Sequence, residues 1–190
     1  MPPKVRINRE MILNAAVDIV RERGEGALNA RAVAARLGSS TQPIFSHFES
    51  MEALRQDVIR CANSTYQIYL HQEMNSGKYP PYKASGMGYI RFAREEKELF
   101  KLLFMRDRSE EEIPEWSEEL EPLIDMICSN TGMSIEAARR FHLEMWVFVH
   151  GIATMAATNY LPLTQGDISA FVSDMYLALK YKYTAKEQEP

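Results

Sequence analysis

Gly38-Ser39-Ser40-Thr41-Gln42-Pro43 cuts through an otherwise helical pattern and leaves two short helical segments close together in the chain. Upstream, Asn29 can cap a helix whose inner side carries Val33 and Leu37, and Gly38 is placed to end it. Downstream, Ser40 can cap a second helix with Pro43 in its first turn, where the missing N–H costs nothing. That second helix reaches only to about Phe48, and Ser50 is placed to cap a third. A helix this short does not persist alone in water, so packing must hold it. A short helix braced across the end of another is how a helix-turn-helix presents its reading element to a DNA major groove.

The rest of the chain is dominated by helical periodicity, and strand signals are almost absent. Asn8 is placed to cap a first helix with Met11, Ile12, Ala15, Ala16, Ile19 and Val20 on its inner stripe, ending at Gly24. A long helix is expected from Ser50 to about Glu73, with Leu54, Val58, Ala62, Tyr66 and Tyr69 on one face, before Asn75-Ser76-Gly77 and Pro80-Pro81 break it. Further helices are expected from Tyr82 to Glu95, though Gly86 and Gly88 weaken it, from Lys97 to Met105, and from Glu115 to Asn130, the last with Leu120, Leu123, Ile124 and Ile127 inward. Arg106 to Pro114 reads as a charged loop. Ser134 opens a long helix from Ile135 to Tyr160, closed by Pro162. A last helix from Asp167 to Tyr183 carries Ile168, Phe171, Val172, Met175, Leu177 and Leu179 inside. The fold class is therefore all-α with about nine helices. A three-helix DNA-binding domain is expected over residues 1–50 and a larger helical domain over residues 51–190.

The motif from Gly38 to Phe48, followed by Ser50, Glu52 and Leu54, resembles the DNA-binding domain of TetR-family transcriptional regulators. Upstream, Ile12, Ala15, Ala16, Ile19, Val20 and Gly24 match that family's first helix and its end. The match covers roughly the first third of the chain and keeps register throughout. The resemblance implies a homodimeric, all-helical regulator, most often a repressor, that binds a near-palindromic operator and is released by a ligand. Two departures stand out. The family's usual Tyr, which donates to phosphate, is Phe45 here, and its usual Lys after the cap of the fourth helix is Met51.

Charge agrees with one face turned toward phosphate. Up to Phe48 there are seven basic residues (Lys4, Arg6, Arg9, Arg21, Arg23, Arg31, Arg36) and four acidic ones (Glu10, Asp18, Glu22, Glu25), a balance of +3. The whole chain is −4, so the remainder carries −7. Met1-Pro2-Pro3-Lys4 leads directly into a polar, charged helix, unlike a signal peptide, and no apolar run approaches the roughly eighteen residues of a membrane span. A cytoplasmic protein with no membrane partner is expected. Cys61 and Cys128 are too few for a disulfide framework and lack metal-ligand spacing, so no metal or cofactor is expected.

DNA contact needs small polar side chains at the tip of the second short helix. Ser39, Ser40, Thr41 and Gln42 meet that need: Gln pairs bidentately with adenine, and Thr offers a methyl to thymine. Pro43 and Phe45, within the same element, are also candidate DNA-contact residues, and Ser46 and His47 can reach phosphate or base edges. Arg31 starts the bracing helix and can meet the DNA backbone, while Lys4 and Arg6 precede the first helix as an arm. Ile44 and Phe48 are its buried side.

In the C-terminal part, methionines and aromatic residues suit an irregular apolar cavity for a small apolar or aromatic effector, with Tyr66, Met87, Met126, Trp146 and His150 as candidate ligand residues. Trp146 and His150 are one helical turn apart, and Trp146-x-x-x-His150-Gly151 resembles a signature of one TetR subgroup. The helices from Ile135 to Tyr160 and from Asp167 to Tyr183 carry wide apolar stripes suited to a four-helix homodimer interface. Two other readings stay open. One is a helical protein-interaction module that has lost DNA binding, which Phe45 and Met51 keep alive. The other is an all-α enzyme, against which stand the lack of Glu-x-x-His, His-Glu-x-x-His or nucleophile-elbow motifs and the scatter of His47, His71, His142 and His150.

Overall fold

The computed structural model describes residues 7–107, 109 and 120–186. Among them run nine α-helices and no strand: α1 (Arg9–Arg23), α2 (Ala30–Arg36), α3 (Gln42–His47), α4 (Met51–Met74), α5 (Pro81–Glu95), α6 (Lys97–Phe104), α7 (Glu121–Thr131), α8 (Ile135–Ala157) and α9 (Gln165–Lys186). None is long and apolar enough to cross a membrane. The helices form two compact units, Met1–Gln67 with Glu96–Arg106, and Ile68–Glu95 with Asp107–Pro190.

In the first unit, α1 starts where the sequence places it. The Asn8 Oδ1 accepts from the Met11 N–H at 2.9 Å, and the helix ends at Gly24. Its buried residues, Ile12, Ala15, Ala16, Ile19 and Val20, follow the helical period and so form one core-facing stripe. The Asn29 Oδ1 accepts from the Ala32 N–H at 3.0 Å and starts α2. The end of α2 is a Schellman turn: the Gly38 N–H donates to the Ala35 carbonyl at 3.2 Å and the Ser39 N–H to the Ala34 carbonyl at 2.9 Å. Gly38 stands at φ 60°, which costs a glycine little and other residues more.

The cap of α3 differs from expectation. Thr41, not Ser40, precedes the helix, and it makes no side-chain cap bond. Thr41 already has helical backbone angles, and Pro43 in the first turn removes one of the N–H groups that a cap would satisfy. Ser50 does cap α4, its Oγ accepting from the Ala53 N–H at 3.1 Å.

Ile44, Phe48, Val33, Leu54, Val58 and Ala62 are buried, and α6 packs on α1 with Leu99, Phe100 and Leu102 inside. The buried carboxylate of Asp57 is held by Arg9 and by Arg60, and the Arg9 guanidinium lies 4.6 Å from the Phe48 ring centre. By compactness the chain divides within α4, and α6 packs with the N-terminal helices because its apolar face meets α1.

In the second unit, α5 lies against α7, α8 and α9. Its buried residues, Ala84, Met87, Gly88, Tyr89, Ile90, Phe92 and Ala93, surround most of the helix, as a central helix requires. Gly88 is part of that design rather than a weakness. A Cβ there would stand 3.2 Å from both the Leu70 Cα and the Tyr69 carbonyl oxygen, so a side chain would push α4 back by a few tenths of an ångström. Beside it, Glu73 is buried and paired with Arg91 at 2.9 Å.

Several boundaries move, among them the end of α9, which runs to Lys186 rather than Tyr183. The described part of α7 begins at Glu121, and residues 115–119 of its expected span lie outside the described residues, as does most of the expected loop before it. α5 begins at Pro81, a tolerated first position. α8 stops at Ala157 rather than Tyr160. Asn159 adopts φ 54°, and the N–H groups of Asn159 and Tyr160 close a second Schellman turn on Ala156 and Met155. α9 starts at Gln165, two residues earlier than expected, because Thr164 and Asp167 form a capping box: the Asp167 N–H donates to the Thr164 Oγ1 at 3.1 Å and the Thr164 N–H to the Asp167 carboxylate at 3.0 Å.

Ile168, Val172 and Leu179 face inward on α9 as expected, whereas Phe171 and Leu177 are exposed in the single chain. The apolar stripe is wider than one neighbouring helix layer can cover.

Candidate DNA interface and C-terminal aromatic cluster

The turn after α2 delivers α3 with its apolar side, Ile44, buried and its other residues outward. Not every polar group on it is free. The Ser39 hydroxyl donates to the Ser40 carbonyl at 2.9 Å and the Ser46 hydroxyl to the Gln42 carbonyl at 3.0 Å. The His47 Nε2 lies 3.2 Å from the Ile7 carbonyl oxygen, which can only accept, so the ring carries its proton there. The Ser40 and Thr41 hydroxyls and the Gln42 amide have no side-chain partner among the described residues, and Ser40 and Gln42 are exposed. Phe45 is 52% exposed. Pro43 is half-buried in the first turn.

Of the five described cations that the sequence counts toward the surplus, three are committed. Arg9 pairs with Asp57, Arg36 with Glu22, and Arg21 with Glu96 at 2.7 Å. The Arg36 hydrogen bond holds the Glu22 carboxyl below its ordinary range and raises the guanidinium in turn. Arg23 and Arg31 are exposed and, among the described residues, have no ion pair. Lys4 and Arg6 lie outside the described residues.

The candidate ligand residues are distributed between the units. Tyr66 belongs to the first, edge-to-face on Phe104 with ring centres 5.4 Å apart, and burial pushes its hydroxyl up to about 12. Met87, Met126, Trp146 and His150 belong to the second: Met87 is buried, Met126 half-buried, and Trp146 is 43% exposed. The Trp146 ring stacks on His150 at 5.1 Å and 19°, and the His150 Nδ1 shares a 2.8 Å hydrogen bond with the Tyr89 hydroxyl on α5. Burial holds His150 below its ordinary value. A groove of about 300 Å³ between α1 and α4, lined by Asn14, Asp18, Arg21, Cys61 and Thr65 among others, contains none of these residues.

Sequence reasoning missed a second His–Tyr pair. The Tyr82 hydroxyl on α5 meets the His142 Nδ1 on α8 at 3.1 Å, beside the rings of Phe141 and Tyr176. Burial pushes His142 down to about 4 and Tyr82 well above the ordinary tyrosine range. Nearby, the Lys83 ammonium donates to the hydroxyls of Ser169 and Ser173, both at 2.7 Å. Residues so far apart in the chain leave no local pattern. A same-face histidine on α8, eight residues before His150, is the only trace in the sequence. Among the described residues, no group of three or more His, Cys, Asp or Glu is placed to hold a metal ion.

Residues 12–58 match the family model for bacterial regulatory proteins of the tetR family, and residues 82–179 match the tetracyclin repressor-like C-terminal domain. No curated protein matches the chain. Among solved structures, a TetR-like transcriptional regulator from Rhodococcus sp. RHA1 is similar at TM-score 0.66 and 14% identity, over 90% of this chain and 97% of that one. A protein of unknown function from Rhodococcus sp. RHA1 is similar at TM-score 0.70 and 18% identity, over 96% of this chain and 99% of that one. A TetR-family member from Streptomyces coelicolor A3 is similar at TM-score 0.56 and 17% identity, over 88% and 96%. At these identities the structures speak for the fold, and the two domain models, in the order and places that the helices require, carry the assignment. The chain belongs to the TetR family of DNA-binding transcriptional regulators.

Proposed function

We propose that this regulator is a cytoplasmic homodimeric repressor that binds a near-palindromic operator and is released by a small apolar or aromatic effector. The observation that carries the operator reading is α3: a short helix, positioned by a glycine turn, with Ser40, Thr41 and Gln42 uncommitted at its start. Gln42 reads adenine and Thr41 approaches a neighbouring base. Ser39, Ser46 and His47 contact the duplex through the atoms their internal bonds leave free. Lys4, Arg6 and Arg31 bind phosphate, which sets register without reading sequence.

Residues up to about 50 act as the reading head in this scheme, and those beyond serve effector binding and dimerisation. The dimer reading is supported by apolar side chains that the single chain leaves uncovered on two helices. These include Leu143 and Val147 on α8, and Phe171, Leu177 and Tyr181 on α9. Met87, Met126 and the Trp146–His150 pair form the effector side. An effector that prefers one position of α4 would change the spacing of the two reading heads, so ligand and operator compete.

The test is selection of tight-binding duplexes from a random DNA pool, followed by a salt titration. A palindromic consensus whose affinity falls steeply with salt is expected. The absence of binding even at low salt would instead favour a helical interaction module, a reading to which Phe45, Met51 and the committed arginines lend weight.

A further inference from the structure

We infer that Phe45 is a base-reading residue that packs on the 5-methyl group of a thymine, an inference that rests on the operator reading of α3. The helix buries Ile44 fully and Phe48 almost fully, yet leaves the ring between them 52% exposed. Phe45 has no ring partner among the described residues, so the chain's own core does not use it. Gln42, Phe45 and Ser46 lie three and four residues apart and share one face.

Of that face, the Ser46 proton is committed to the Gln42 carbonyl. Past Gln42, the largest group that α3 offers outward is therefore an apolar ring. Such a ring cannot replace a tyrosine at phosphate, because it would strip water from an anion and return no hydrogen bond. In the major groove, the thymine methyl is the apolar group that base edges present. Three residues of helix rise about 4.5 Å, close to the 3.4 Å base step, which puts that thymine one or two steps from the adenine paired with Gln42.

The test is a cycle that removes each methyl and the ring in turn. Duplexes selected from the random pool are resynthesised with uracil in place of each thymine and titrated with the full chain and with its Phe45→Ala variant. Phe45→Leu serves as an apolar control. At one thymine per half-site, loss of the methyl should weaken binding of the unaltered chain about fourfold, the worth of one buried methyl, and should cost Phe45→Ala nothing. Phe45→Leu should keep part of the penalty. Because the ring is exposed, an unchanged melting temperature confirms that the variants fold. An equal penalty for the chain and Phe45→Ala would overturn the inference, since the methyl then acts through DNA shape. So would the absence of any penalty, which places the ring elsewhere. In both cases the operator reading survives. If the pool yields no bound duplex, both readings fall together.

Discussion

Arg91 on α5 reaches the buried Glu73 of α4 with 2.9 Å between Nη1 and the carboxylate, and its guanidinium lies 4.7 Å from the ring centre of Tyr69, one turn earlier on α4. The carboxylate is 5% exposed, so the arginine is what makes its charge tolerable. Arg91→Ala should therefore cost about 3 kcal/mol, more than a surface ion pair is worth, because a buried charge is left unpaired. Urea unfolding measures this. A loss below about 1 kcal/mol would mean that Glu73 reaches water or another partner.

Gly88 tests the same contact by shape alone. Alanine there places its Cβ 3.2 Å from backbone atoms of Leu70 and Tyr69 and 3.3 Å from the Glu73 Cβ. Backbone cannot step aside as a flexible side chain can, so Gly88→Ala should destabilise by about 1–3 kcal/mol despite the better helix propensity of alanine. A variant as stable as the parent would show that the two helices separate at little cost.

His142 makes stability depend on pH. Burial lowers its folded value to about 4 from 6.5, so between those limits the unfolded chain holds the proton and the folded chain does not. The stabilisation associated with the neutral ring is complete above 6.5 and is lost as pH falls toward 4, up to about 3 kcal/mol in all. Replacing His142 by Gln should flatten the pH dependence of the melting temperature in that window relative to the parent. An unchanged slope would place the imidazole in contact with water in the folded state.

The local signals were readable and the long-range ones were not. Asn8, Asn29, Ser50 and Ser134 act as caps because a cap is decided within four residues. Ser40 failed because Pro43 had already removed a donor that it would serve. The end of α8 was misplaced because asparagine, not glycine, took the left-handed position. Ile44 and Phe48 were legible as core from spacing, while the commitments of Arg9 and Arg36 to acidic partners were not, since ion pairs between separate helices have no period. Phe171 and Leu177 read as core because a stripe that the single chain leaves uncovered looks, in sequence, like one that faces the interior.

That ambiguity leads to a prediction about assembly. Val147 and Leu177 are 59% and 61% exposed in the single chain, so charging them should leave the fold of a protomer intact. Val147→Asp and Leu177→Asp should convert a dimer into a monomer in sedimentation equilibrium, with helical circular dichroism retained. A parent chain that sediments as a monomer, or variants that remain dimeric, would move the interface off α8 and α9.

Gln42 and Arg31 separate reading from attraction at the DNA. The Gln42 amide has no partner among the described residues and is exposed, so on the proposed operator reading Gln42→Ala removes a base contact without touching the core. It should cost about 1–3 kcal/mol on a selected operator, concentrated at one base pair, and leave random duplex DNA unaffected. Arg31 is exposed without an ion pair among the described residues, whereas Arg36 is occupied by Glu22. Arg31→Ala should weaken binding to operator and random duplex alike and reduce the salt slope by about one, while Arg36→Ala should barely alter that slope. Equal losses from Arg31→Ala and Arg36→Ala would mean that the ion pair with Glu22 opens on the duplex.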